Sequence, residues 1–280
     1  MSLSSLKITL LVDNNASDGL EKEHGFSAWI EAGNRYILFD TGQSGALQAN
    51  AKQLGINLSK ADTLVLSHGH YDHTGTLPAF LEVNNKARIY TGGNPHIDRW
   101  SCKPGTDPRF IGMPEASKQA LQALPPERIH ELHTPLYLMP GVGITGPVPR
   151  ASLVEDTGGP FYLDNAGNAD DLIEDDQSMW FETDEGIIIL LGCCHAGLVN
   201  TVDYIRRVSG QDKIRGIIGG MHLVNADEKR LHYTFDAMKT WQPEFLIPCH
   251  CTGDEQTISM VNTLGDKIVR PGQAGMVIQG

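Results

Sequence analysis

The sequence predicts an α/β protein in which two β-sheets pack face to face with helices outside, an αββα sandwich. Two observations carry this. Short apolar runs of strand length recur in both halves, such as Thr63-Leu-Val-Leu-Ser67 and Gly186 to Leu191. Segments with helical spacing alternate with them, such as Gly45 to Leu54 and Glu228 to Trp241. No short-period repeat is visible, so a solenoid or propeller is not expected.

In order, Lys7 to Asp13 reads as a strand, and Phe26 to Glu31 and Tyr36 to Asp40 as two more around the turn Gly33-Asn34. Gly45 to Leu54 places Leu47 and Leu54 on one helical face, and Thr63 to Ser67 is a short buried strand. After Tyr90 the character changes. Residues 91–175 are rich in Gly, Pro and polar groups, with one helix, Glu115 to Leu124, stopped by Pro125-Pro126. Long loops in a compact domain are usually functional, so this stretch reads as insertion-rich material bordering a site. Alternation then returns. Ser178 to Asp184 and Gly186 to Leu191 form a hairpin, followed by helix Leu198 to Val208 and strand Ile214 to Ile218. Helix Glu228 to Trp241, strand Phe245 to Pro248, helix Glu255 to Leu264 and two short strands complete the chain. One domain over residues 1–280 is expected.

Composition narrows the partners. A net charge of -12 over 280 residues argues against nucleic acid, which needs clustered Lys and Arg. The apolar runs are far too short to span a membrane. The N-terminus lacks the basic start and long apolar core of a signal peptide. Of five Cys, four sit in the clusters Cys193-Cys194 and Cys249-His-Cys251. That spacing suits free thiols in a reducing cytoplasm better than a secreted disulfide framework.

The chemistry concentrates at His68, His70, Asp72 and His73, directly after an apolar strand. A strand holds the backbone rigidly, and the turn after it can aim several side chains at one point. Imidazoles and a carboxylate suit zinc, iron or manganese. Gly69 permits close backbone approach, and Gly75 a turn into the next helix. His195 in Gly192-Cys-Cys-His-Ala-Gly197 and His250 in Cys249-His-Cys251 also follow apolar strands. His222 ends another, where it is either a general acid, a further ligand or a core His. His24 lies on an early loop and lines the site or the surface; His96, His130 and His232 read as surface residues. The helix start at Leu198 offers free N–H groups to an anion, with Arg150 as its partner or as a solvated loop charge.

Ser67-His-Gly-His-Tyr-Asp-His-Thr-Gly75, preceded by Phe39-Asp-Thr-Gly42, resembles the signature of the metallo-β-lactamase superfamily. The resemblance implies that fold and a divalent metal centre of two ions, zinc first, with manganese, iron or magnesium open. It places His68 and His70 at the first metal, Asp72 and His73 at the second, and His250 as the last ligand. Asp40 would orient a ligand His by hydrogen bond. Many members have an Asp at the position of Cys193 and a ligand His before that strand, where this chain has Gly143-Ile-Thr-Gly146. His195 supplies the missing coordination more plausibly than His133, and a thiolate from Cys193 or Cys194 stays open. Cys249 and Cys251 read as packed thiols pointing away from His250 if the segment is extended.

The wider set is similar to a subgroup that includes an archaeal synthase joining a dihydropterin to ribofuranosylaminobenzene phosphate. It adds Glu23-His-Gly-Phe-Ser27, Gly219-Gly-Met-His-Leu223 and His250-Cys-Thr-Gly253. This implies a small, anionic substrate that is phosphorylated or pterin-like. It is met either by metal-activated water, with Asp72 orienting the nucleophile, or by metal-assisted pyrophosphate displacement. Tyr71 or Phe161 would stack on a pterin. A non-catalytic metal-holding module is the remaining class, and loss of activity with chelator separates it from an enzyme.

Overall fold

Alternation along the strands decides the layers. In strand Gly186–Leu191, Ile188 and Leu190 enter one apolar cluster, while Ile187, Ile189 and Leu191 enter another. Successive side chains of a strand point to opposite faces, so this sheet is buried on both sides. Strand Leu6–Val12 behaves alike. Leu6, Ile8 and Leu10 share the first cluster with Ile188 and Leu190, and Leu11 and Val12 join a third cluster. The first cluster is therefore the seam between two sheets, and the other two lie under the outer helices.

These relations come from a computed structural model, which describes residues 3 and 5–280. A seven-stranded sheet runs Val277–Gln279, Leu6–Val12, Ser27–Ala32, Arg35–Phe39, Thr63–Val65, Arg88–Thr91, Ile129–Glu131. A six-stranded sheet runs Phe245–Cys249, Ile214–Gly220, Gly186–Leu191, Met179–Thr183, Val142–Ile144, Leu136–Met139. Helices Ala46–Gln53 and Leu77–Val83 cover the first, and Leu198–Ser209 and Glu228–Trp241 the second. The expected αββα sandwich is present.

The 91–175 stretch is less of an insertion than the sequence suggests. Ile129–Glu131 edges the first sheet, and Leu136–Met139 and Val142–Ile144 belong to the second. These runs are three or four residues long, too short for a periodicity to show. The true additions form a small sheet, Phe161–Tyr162, Trp100–Ser101 and Arg109–Phe110. At the C-terminus one strand forms, Val277–Gln279; Val269 makes only an isolated bridge to Leu246.

Each sheet contains a run of neighbouring parallel strands. These are the four strands Arg35–Phe39, Thr63–Val65, Arg88–Thr91 and Ile129–Glu131 in one, and the three strands Gly186–Leu191, Ile214–Gly220 and Phe245–Cys249 in the other. Asp40, Ser67 to His73, Cys193, His222 and His250 all follow the C-terminal ends of such strands. Asp40, Cys194, His222 and His250 adopt φ of 56°, 58°, 43° and 46°. A left-handed conformation costs a non-glycine residue roughly 1–3 kcal/mol, and such strain gathers where function fixes the backbone.

Candidate metal centre

The site begins at Asp40, fully buried after strand Arg35–Phe39. Its carboxylate accepts from Ser67 N at 2.7 Å, Ser67 Oγ at 2.7 Å and His73 Nδ1 at 2.7 Å. Since the Ser67 hydroxyl donates to Asp40, its oxygen is left to accept from His68 Nδ1, 2.9 Å away. His195 Nδ1 donates to the Thr157 carbonyl at 2.7 Å, and His250 Nδ1 to Asn14 Oδ1 at 2.9 Å. Four imidazoles thus have their Nδ1 held from behind, which turns Nε2 of His68 and His195 toward a cation, while Nε2 of His250 faces Asp72 at 3.3 Å and Nε2 of His73 faces Cys193 Sγ at 3.1 Å. His195 Nε2 and His70 Nε2 are buried without a hydrogen-bond partner.

The free atoms converge. Donor atoms of His68, His70 and His195 lie within 4.8 Å of one another, as do those of His24, Asp72 and His250, and those of His68, His73 and Cys193. His68 Nε2 and His70 Nδ1 stand 2.8 Å apart. An all-imidazole set beside a mixed set of carboxylate, imidazole and sulfur fits divalent zinc, iron or manganese. His195 Nε2, buried without a partner, is what such an ion would satisfy.

Burial, helped by neighbouring imidazoles, holds His68 well below the ordinary imidazole range. Burial with Arg99 does the same for His70, and burial with His222 for His195. Burial opposes a charge on His73 too, but the Asp40 carboxylate raises it to about 9. Burial also works against the Asp72 carboxylate, yet hydrogen bonds from His24 at 3.0 Å and His250 at 3.3 Å hold it well below the usual range. One consequence is measurable. Three ordinary imidazoles would lose roughly seventyfold in metal affinity to proton competition between about pH 8 and about pH 6. With His68, His70 and His195 held low, metal affinity at this set is expected to change less than about threefold over that range in a competitive zinc titration.

The centre forms the floor of a pocket of about 840 Å³. His24 stands on its wall with just over half of its side chain exposed, 4.7 Å ring to ring from His250. His222 lines the pocket; its ring is 4.5 Å from His195, and burial with the Arg230 charge brings it to about 3. It therefore stands neutral, and its donor atom lies within 4.8 Å of those of Cys193 and His195. Tyr71 and Phe161 also line the pocket.

Arg150 is placed elsewhere than an anion seat. Its guanidinium donates to the carbonyls of Leu172 at 2.8 Å and His195 at 2.5 Å, so it props the loop behind His195. The N–H groups of the helix beginning at Leu198 are also taken. Glu155 accepts from Val199 N and Asn200 N, both at 2.8 Å. Glu155 lies 44 residues upstream of Val199, beyond any local capping pattern. The expected side-chain direction of Cys251 also needs correcting. The segment turns at His250 instead of staying extended, and both Cys251 and His250 line the pocket. Gly75 has an ordinary helical φ of -64°, so its role is room for the Gln43 carbonyl, which a Cβ would meet at 2.1 Å. Gly69 serves as expected; a Cβ there would meet the Pro95 carbonyl oxygen at 1.8 Å.

Sequence reasoning missed Asn14, Glu155 and a buried ionic group under the His68 loop. Arg99, 1% exposed, pairs with Asp175 at 2.6 Å and Asp171 at 3.0 Å, and Asp175 accepts from Gly69 N at 2.8 Å. Replacing one partner strands the others in a dry interior. Arg99→Met is expected to cost about 3–5 kcal/mol in chemical denaturation. A loss below about 1 kcal/mol would mean that the group is solvated.

The geometry agrees with comparison to known proteins. A family model described as the metallo-beta-lactamase superfamily matches residues 21–199. The 7,8-dihydropterin-6-methyl-4-(beta-D-ribofuranosyl)-aminobenzene-5'-phosphate synthase of Methanocaldococcus jannaschii is 30% identical, covering 90% of this chain and 89% of its own. An uncharacterized protein of the same organism is 32% identical over 88% of this chain and 90% of its own. The crystal structure of Tm1679, a metal-dependent hydrolase of the beta-lactamase superfamily, superposes with a TM-score of 0.81 at 26% identity, covering 98% of both chains. With the sandwich, the rim of ligands and the sequence match in agreement, the chain belongs to the metallo-β-lactamase superfamily.

Proposed function

We propose that the protein is a metal-dependent enzyme acting on an anionic small molecule, phosphorylated or pterin-like. One observation carries the reading. In a chain of net charge -12, the exposed cations Lys22, Lys103 and Arg109 outnumber the exposed carboxylates Asp107 and Asp254 in the lining of the same pocket that holds His70, Asp72 and His250. Cations above a ligand cluster suit a substrate whose charged end is held while its reacting centre meets the metals.

Bound divalent cations supply Lewis acidity toward water and toward a phosphoryl or pyrophosphoryl leaving group. His68, His70 and His195 would hold one ion; Asp72, His73 and His250 would hold the other. Asp72 is fixed by His24 and His250, so its carboxylate keeps one orientation for an attacking nucleophile. His24, on the pocket wall, is placed to pass a proton between Asp72 and solvent. His222, neutral and buried, acts as a hydrogen-bond donor or further ligand, because an imidazolium acid is not available there near neutral pH. Phe161 packs 5.5 Å from His70 and 5.4 Å from His195, excluding water from the floor.

The synthase reading, pyrophosphate displacement by an aminobenzene nucleophile, is favoured by the named relative and by two aromatic rings in the pocket. Phe161 lines the pocket, and Tyr71 lies under the Arg109 guanidinium at 4.8 Å. The test is a substrate panel with zinc-, manganese- and iron-loaded protein. It contains phosphomonoesters, phosphodiesters, and a dihydropterin pyrophosphate offered with the ribofuranosylaminobenzene phosphate. Turnover that vanishes with chelator and returns with metal is expected. Arg109→Ala should then raise KM by about tenfold with less effect on kcat. Full metal loading with no turnover on any member would leave a metal-holding module instead.

A further inference from the structure

The candidate ligands follow the C-terminal ends of the parallel strands, and the starts of three of these strands border a second cavity. Strands Arg35–Phe39, Thr63–Val65 and Arg88–Thr91 are neighbours in the first sheet. Ile37, Val65 and Tyr90 point into the seam between the two sheets. Residues two apart on a strand share a face, so Arg35, Thr63 and Arg88 point the same way, one step nearer the strand starts. Arg35 and Arg88 are exposed, so the seam opens to water at this end. The opening is a cavity of about 260 Å³. Arg35, Lys86 and Arg88 line it beside Asp62 and Thr63, and Tyr90, Leu138 and Met139 give it an apolar side. It shares no residue with the pocket over the candidate metal centre. From Arg35 to Asp40 the chain advances five residues, roughly 16 Å along the strand.

The charges around this cavity are unbalanced. Three cations face one carboxylate, in a chain of net charge -12. Asp62 is already engaged: Oδ2 accepts from Tyr36 N at 3.1 Å, and Oδ1 lies 3.7 Å from Lys86 Nζ. Among the described residues, neither the Arg35 nor the Arg88 guanidinium has an ion pair or a hydrogen bond. Two such forks on strands either side of Thr63 repel each other until a counter-charge sits between them. A guanidinium meets phosphate oxygens with two parallel N–H groups, and the apolar side of the cavity strengthens the attraction by excluding water.

We propose that this cavity is a binding site for a small inorganic polyanion of the pyrophosphate class, held by Arg35 and Arg88 with Lys86 as a third cation and the Thr63 hydroxyl as a further donor. Its size sets the class. Pockets for drug-sized organic ligands measure roughly 300–1,000 Å³, and this one is smaller. Its charge sets the valence, because only a multiply charged anion gains from all three cations. The site stands independently of the metal-centre reading, since none of its residues is a candidate ligand.

The test is calorimetric titration of the full chain with sodium pyrophosphate, at an ionic strength held constant with sodium chloride. A saturable event with a Kd of about 1 mM or tighter is expected. Arg35→Gln and Arg88→Gln should each weaken it by at least about tenfold, the effect of removing one charge-assisted fork. Both positions are exposed, and circular dichroism checks that the variants keep the fold. Arg109→Ala, in the metal pocket, should leave the event unchanged. Heat arising at the metal pocket is common to wild type and both cavity variants, so their difference reports this site. Glycerol phosphate, with a single phosphoryl group, should bind more weakly than pyrophosphate. No saturable event up to about 10 mM, or an event unchanged in both Arg35→Gln and Arg88→Gln, would overturn the proposal. So would an event lost in Arg109→Ala and kept in Arg35→Gln, or glycerol phosphate binding the tighter of the two.

Discussion

Stripping the metal is expected to abolish activity and to lower the thermal midpoint together, with both recovering on addition of zinc or another divalent ion. The reason is what a bound ion would satisfy. His195 Nε2 is buried without a partner, and the imidazoles of His68 and His70 and the Asp72 carboxylate, 6% exposed, are buried around it. Buried polar atoms left unpaired cost about 1–3 kcal/mol each, so an ion that satisfies several at once stabilises the fold as well as the reaction. A scan with and without chelator should show a fall of several degrees or more, about the shift expected for 1–3 kcal/mol in a chain of this size. Unchanged melting with unchanged turnover in chelator would contradict the account.

The second large effect is expected at Asp40. Asp40→Asn keeps the shape but removes the charge shared by Ser67 and His73. The amide can accept at one oxygen only; if that oxygen keeps Ser67 N, the NH2 group faces both the Ser67 hydroxyl and His73 Nδ1. His73 then loses the acceptor that fixes its Nδ1 proton, and Ser67 loses its direction toward His68. Partners behind metal ligands typically contribute 10–100-fold in affinity or activity, so a loss of about a hundredfold in metal affinity is expected by competitive titration. Asp40→Ala should be worse, leaving Ser67 N unpaired in a dry interior. An Asn variant with wild-type affinity would mean that His73 is not a ligand.

Much of this was legible in the sequence because strand ends fix side chains locally. The cluster at residues 68–73 announces itself by spacing, and His195, His222 and His250 each follow a clear apolar run. What was not legible depends on distant chain segments. Asn14 and His250 meet across 236 positions, and Arg99 meets Asp175 across 76. Nothing in the local pattern of Arg150 shows that its fork is used by two carbonyls, nor that Glu155 already fills the helix start it was expected to share with an anion. The same holds for Cys251. Period-two reasoning sends it away from His250, and only the left-handed backbone at His250 brings it back. The strands Ile129–Glu131, Leu136–Met139 and Val142–Ile144 were obscured because each is three or four residues long and takes its place from a partner strand rather than its own pattern.

The most direct test of the central claim is elemental analysis of wild-type protein beside His70→Ala and His195→Ala, with circular dichroism to confirm folding. Two metal ions per chain in the wild type, falling in both variants, is the predicted result. It would establish His195, outside the residue 68–73 cluster, as a ligand of the same centre as His70. Wild-type protein that holds no metal after reconstitution with zinc, manganese or iron would contradict the account, as would a His195→Ala variant that retains both ions.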